Sequence, residues 1–500
     1  MELLNRLSRL TCAALGALAV AAKPAPPITV AEVGSPAPAG SVGSALIRAP
    51  DGVVWLSWVQ PGADRENLLR LARFDPATTA WSRGTTIRRG PDVTTSAMDF
   101  PQVAVDGRGQ LLALWTDGHG GAAYAVSRDA ARTWDVSKSW VHEAGGVEKF
   151  AFHLLADGRI LAVWLDARGH PGGAGMQRLY GRILPADLSG LAEAPDILLD
   201  PAVCDCCQTA VAAFPDGGAL VAYRGRTADE VRDIRTVRLH GGAWEEPRPL
   251  NHDDWHIAAC PMNGPRVMTD GGRVAVGWFT AAGDDPRVLA TYSPDAGARF
   301  LAPLRVDAGH PVGHVETVLL HDGAILIVWV EADGSLWLRR ITPDFSLTNP
   351  VRLAGAGEAA TKGIPRAALW RDYAGGRSSA EVLVAFTRAG ARPGIATLRV
   401  TVPEGELLEA ERDCDCAPTA EQLQGYPVRG TIAAPPHASG TVRVDLAETP
   451  GLFAAGPREL RLATGTPATL APGREFLGRV RERDGAWWLY DLRLLAEPAK

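Results

Sequence analysis

Five of the seven cysteines fall in two short patterns and a sixth, Cys260, stands apart, and thiols so placed could bind metal, form disulfides or exchange electrons. Cys204, Cys206 and Cys207 make a C-x-C-C run, and Cys260 follows, four residues after His256. Thiolates with an imidazole suit soft or borderline ions such as copper or zinc. The same four cysteines also permit structural disulfides in three pairings, or redox-active thiols. Close C-x-C-C spacing works against a plain disulfide, because near neighbours rarely reach bridging geometry. A second run, Cys414-Asp415-Cys416, leaves pairing and metal binding equally open.

Around these cysteines stand charged residues that could hold an anion. Arg168, Arg224, Arg226, Arg232, Arg287 and Arg366 all occur in short loop segments, with Asp233 and Asn263 beside them. Arginine offers a planar fork for carboxylates and phosphates. His314 and Glu316 are two apart on an expected strand and should share a face, as a metal ligand and a base or as buried polar packing. Asp166 with Arg168 and Arg232 with Asp233 could equally be loop ion pairs.

The elements that must position these residues are strands. A turn Asp-Gly followed by alternating apolar residues and an aromatic recurs at Asp51–Trp58, Asp106–Trp115, Asp157–Trp164, Asp216–Tyr223, Asp270–Trp278 and Asp322–Trp329. A seventh copy ends at Phe386 without the Asp-Gly. Asp-Gly between β-rich runs marks a hairpin, and self-similarity at roughly fifty residues marks a propeller. The sequence therefore predicts an all-β fold with a propeller over 28–402 of seven blades, six being the alternative. The repeat aromatics pack one blade against the next, which accounts for much of the 15 Trp. Residues 28–33 could close the ring beside the last blade. In such blades the segments leading into each innermost strand gather on one face near the axis, where propellers commonly bind ligands. The C-x-C-C run, Cys260 and most of the charged residues lie in those lead-in segments or in the loops beside them.

Two segments, Ser127–Trp134 (SRDAARTW) and Ser293–Phe300 (SPDAGARF), resemble the Asp box of the sialidase superfamily, with a looser copy at 74–81. The box is a structural turn, so it implies a fold and not an activity. The resemblance further implies an exo-acting glycoside hydrolase on acidic sugars. Asp166 would be its acid/base and Tyr223 its nucleophile, supported by Glu316, with the arginines on the substrate carboxylate. GIPR at 363–366 departs in order and position from the arginine motif of that superfamily.

Residues 425–495 read as five short strands after a linker at 403–424. They resemble the small periplasmic copper-binding barrels of the CusF type. The family's metal-binding His falls at Leu446 and its three Met at Phe453, Gly456 and Arg458, so copper binding does not carry over.

Arg6, Arg9 and an apolar run ending in Ala19-Val20-Ala21 read as a cleavable export signal over 1–22. A periplasmic or secreted location is expected, where disulfides persist. The net charge of −6 with interspersed signs excludes a basic nucleic-acid footprint. No later apolar run reaches the roughly 18 residues of a membrane helix. Expected partners are a soft metal (copper or zinc), a small anionic or glycan ligand, or, for a non-catalytic scaffold, a protein.

Overall fold

The computed structural model describes residues 27–494 apart from 99, 118–119, 138, 142–145, 169–176, 373–378, 404–424, 438, 450 and 464–469. The expected leader at 1–22, and Cys414 and Cys416 in the expected linker, lie outside the described residues. Within them, no helix is long and apolar enough to cross a membrane.

Seven antiparallel sheets of four or five strands form a ring, which settles the blade number at seven. Their innermost strands are Val42–Arg48, Gln102–Val105, Glu148–Leu154, Ala210–Ala213, Arg266–Asp270, Pro311–Leu319 and Arg366–Arg371, in blades 1 to 7. Each innermost strand contacts the next, and the seventh contacts the first. Thr29–Val33 pairs antiparallel with Gly394–Pro403, Thr29 opposite Thr401, so the N-terminal strand completes blade 7 and ties the ring shut.

The repeat pattern explains the packing. Every second strand carries the aromatic of the repeat, and Trp58, Trp115, Trp164, Tyr223, Trp278, Trp329 and Phe386 are all buried. Apolar residues on both faces of these strands suit sheets covered on both sides. The Asp-box segments form the turn between third and fourth strands in blades 2 and 5. Asp129 Oδ1 accepts the Arg132 and Thr133 amides, and Asp295 Oδ1 accepts the Arg299 amide.

The C-terminal strands Tyr426–Ala434, Thr441–Leu446, Gly456–Leu462, Glu475–Arg483 and Ala486–Leu494 close into a five-stranded barrel. This barrel docks on the Asp box of blade 5. Tyr426 Oη donates to Asp295 Oδ2 at 2.8 Å, and the Arg299 guanidinium lies over the rings of Tyr426 and Trp487. Arg479 donates to Tyr292 Oη and to the Pro343 carbonyl. Strands alternate in direction, so these turns lie on the face opposite the lead-in segments. The barrel leaves the cysteine-bearing face uncovered. Where the resembled family has metal ligands, Leu446 and Phe453 are buried in the barrel core and Arg458 stacks on Phe453.

Candidate functional site

The four cysteines sit where the chain crosses from the outer strand of one blade to the inner strand of the next. Val203 ends the outer strand of blade 3 and Ala210 begins the inner strand of blade 4. The following crossing, between blades 4 and 5, carries Cys260. Cys206 and Cys260, 54 residues apart, are joined by a disulfide, so one bridge staples two successive crossings. Gly264 lets the crossings touch: a Cβ there would stand 2.0 Å from the Gln208 carbonyl oxygen. Gln208 also donates to the Met98 carbonyl, tying the segment to the crossing before blade 2.

Cys204 and Cys207 are free thiols, both buried. Their sulfurs lie 3.5 Å apart, and Cys204 Sγ is 3.8 Å from Cys206 Sγ. Met262 packs against this sulfur cluster. Arg232, itself buried, donates from Nη1 to Cys204 Sγ at 3.3 Å and to Asp205 Oδ1 at 3.1 Å. Glu230 holds the other edge of that guanidinium at 2.8 and 3.0 Å.

This setting splits the two thiols. The hydrogen bond with the Cys207 thiol, followed by the Cys206 amide and Arg232, outweighs burial and lowers Cys204 to about 6. Burial and the neighbouring sulfur push Cys207 well up. Thiolate absorbance should therefore show one buried thiolate appearing with a midpoint near pH 6. Arg232→Met should raise that midpoint by removing one of the groups that lower it. A midpoint at the ordinary 9.0 of a thiol in the wild type would contradict this geometry.

The other expected ligands are engaged otherwise. Cys206 and Cys260 are bridged, so neither is a thiolate in this state. His256 is exposed, with Nδ1 against the Asp254 carbonyl. His314 does not share a face with Glu316. A bulge between Gly313 and Glu316, with His314 at φ 52°, breaks the alternation that placed them together. His314 Nε2 instead meets the Thr361 carbonyl at 2.9 Å, and burial lowers its pKa.

The residues nominated for hydrolysis do not assemble. Tyr223 occupies the repeat-aromatic position, and its hydroxyl donates to Asp200 at 2.6 Å, not to Glu316. That burial and the Asp200 charge raise its pKa. Asp166 is fully buried and paired with Arg168 at 2.9 Å. Arg168 also pairs with Asp196 and stacks on Tyr180. Glu316 joins two arginines near the axis: Arg266 Nε at 3.0 Å and Arg366 Nη1 at 3.2 Å. Arg366 further stacks on Phe100.

The remaining polar candidates hold loops. Arg224 is buried and donates to the carbonyls of Asn263, Arg232 and Phe279. Asn263 accepts the His314 amide and donates to Pro261 and Val312. Asp233 accepts the Asp254 and Trp255 amides. Arg226 pairs with Glu230, and Arg287 with Asp285 and the Ala282 carbonyl. Of the six expected anion-binding arginines, Arg232 alone hydrogen-bonds the sulfur cluster, and the Arg224 charge also favours the thiolates. Met262 and Arg266 were missed by sequence reasoning. Met262 sits in the same crossing as Cys260 and Arg266 opens the strand that follows it, and a thioether two residues beyond that cysteine was the available signal.

A separate pocket of about 430 Å³ opens at the same face in blade 6. Trp329, Trp337, His310, Glu331, Asp333 and Pro350 are among its walls.

No protein-family model matches the chain, and no curated protein does. Among solved structures, the lectin BP39L from Burkholderia pseudomallei is similar at 13% identity and TM-score 0.50, over 71% of this chain and 99% of that one. An ulvan lyase of family PL25, bound to -[GlcA(1-4)Rha3S]-, matches at 13% identity and TM-score 0.48, over 75% and 96%. An α-L-arabinanase from Penicillium chrysogenum, complexed with arabinobiose, matches at 12% identity and TM-score 0.42, over 75% and 98%. At 13% identity the likeness to the lectin is one of fold alone. The chain is a seven-bladed β-propeller with a small closed barrel.

Proposed function

We propose that the protein is an exported propeller that binds monovalent copper at Cys204 and Cys207, with Met262 as a third, weaker donor. The observation that carries this reading is the buried pair of free thiols, 3.5 Å apart, with the Met262 side chain packed against their cluster. Soft sulfur donors select Cu(I). A structural zinc site takes four N, S or O ligands, whereas the donor group at the cluster holds Cys204, Cys206 and Cys207 only, and the disulfide takes Cys206. Two thiolates around Cu(I) carry one net negative charge, which Arg232 offsets. Export agrees with the Cys206–Cys260 disulfide, because such bonds persist outside the cytosol.

Anaerobic titration against a chromophoric Cu(I) chelator tests this reading. The expected result is one tightly held Cu(I) per chain, with Zn(II) failing to compete. No copper retained against the chelator, or equal retention of zinc, would overturn it.

A second reading rests on the blade 6 pocket. Aromatic walls beside carboxylates suit a glycan, with an indole face against a sugar ring. Trp337→Ala should then abolish binding on a glycan array while leaving copper retention unchanged.

A further inference from the structure

The disulfide Cys206–Cys260 and the thiols Cys204 and Cys207 lie in one continuous line of sulfur. Cys204 Sγ stands 3.5 Å from Cys207 Sγ and 3.8 Å from Cys206 Sγ. Exposure changes sharply along that line. Cys204, Cys206 and Cys207 are buried, whereas Cys260, at the far end of the bridge, is exposed. A structural staple has no use for a second, unpaired dithiol against its buried sulfur. Thiol–disulfide exchange needs an attacking sulfur in reach of one bridge atom, and here the leaving sulfur, Cys260, also faces solvent.

We propose that the four cysteines form a thiol–disulfide relay that carries two electrons from the buried pair, Cys204 and Cys207, to an external disulfide through Cys260. Cys204 attacks Cys206 Sγ. A Cys204–Cys206 bond forms, the Cys206–Cys260 bond breaks, and the electron pair leaves on Cys260. Cys207 then attacks Cys204 Sγ, forming Cys204–Cys207 and returning Cys206 to the thiol state with the Cys207 proton. No electrons enter or leave in these two steps, because the bridge only moves inward.

The freed Cys260 thiolate attacks an external disulfide, forming a mixed disulfide and expelling one thiolate. Cys206 resolves that mixed disulfide, restores Cys206–Cys260 and expels the second thiolate. In sum, the buried dithiol is oxidised and one external disulfide is reduced to two thiols. Arg232, at 3.3 Å from Cys204 Sγ, is a positioning residue for the attacking sulfur.

The relay needs no metal, so its test uses chelator-treated protein. Native, non-reduced protein is exposed to N-ethylmaleimide, and adducts and bridges are mapped by peptide mass spectrometry, which also separates any label on Cys414 or Cys416. Label should accumulate on Cys260, with the bridge recovered as Cys204–Cys206 or Cys204–Cys207. In Cys204→Ser, labelling of Cys260 should fall at least about tenfold, with Cys206–Cys260 intact. Cys207→Ser should still label Cys260, but its bridge should stop at Cys204–Cys206.

With glutathione disulfide as the probe, the wild-type chain should reduce one equivalent to two thiols, Cys207→Ser should release one thiol and stop at a Cys260 mixed disulfide, and Cys204→Ser should release none. Label on Cys204 or Cys207 beside an intact Cys206–Cys260 bridge would overturn the relay. So would equal Cys260 labelling in the wild type and Cys204→Ser. Cys207→Ser also separates this inference from the copper reading, because it should lose copper retention and keep the first exchange step.

Discussion

Replacing either Cys204 or Cys207 by serine should lower Cu(I) affinity by on the order of 10³-fold or more. Binding at a four-ligand structural zinc site is worth about 10–16 kcal/mol, or roughly 2.5–4 kcal/mol per ligand. A thousandfold loss corresponds to about 4 kcal/mol. The two thiols are the only free sulfurs among the described cysteines, so no neighbouring thiolate replaces the lost one. Met262→Leu keeps the volume and removes the thioether, and should cost less, about tenfold. His256→Ala should change nothing, because that imidazole is exposed and faces the Asp254 carbonyl. Competition titration measures all four variants, with circular dichroism confirming the fold. A His256→Ala loss as large as that of Cys204→Ser would place the site elsewhere.

Glu316→Ala should destabilise the propeller by about 3–5 kcal/mol without affecting copper. Glu316 is buried and divides its two oxygens between Arg266 and Arg366, and Oε1 also accepts the Thr317 amide. Its removal leaves two guanidiniums facing each other near the axis. Burial and the nearby Arg266 charge already pull Arg366 down, and Glu316 is the group that opposes them. Breaking a buried pair from one side is costly, whereas replacing it by apolar residues often is not. The double variant Glu316→Leu with Arg366→Met should therefore recover much of the loss. Denaturant midpoints at constant slope give the comparison. A Glu316→Ala cost below about 1 kcal/mol would show that the triad is not buried as described.

Much of the fold was legible because strand periodicity and Asp-Gly hairpins are local signals. The seven aromatics, the closing strand at 28–33 and the gathering of cysteines on one face all follow from counting repeats. The site was less legible because crossings between blades are irregular, and no periodicity fixes where their side chains point. C-x-C-C and Cys260 allowed three pairings, and the structure bridges Cys206 to Cys260 and leaves Cys204 and Cys207 free. Period-two reasoning failed at His314 because a bulge and a positive φ intervene. Tyr223 and Arg224 looked available for chemistry, yet both serve packing. One fills the repeat-aromatic slot and the other holds three carbonyls.

The position of a bound ion is the most direct test of the central claim. Anomalous diffraction at the copper edge, from crystals of protein loaded anaerobically with Cu(I), would locate it. A single peak between Cys204 Sγ and Cys207 Sγ, bordered by Met262, is the result predicted here. The clearest contradiction would be a peak at Asp233, His252 and Asp254, the other described group of donor atoms that lie within 4.8 Å of one another. Such a peak, with the two thiols empty, would replace a soft sulfur centre with a hard oxygen–nitrogen one.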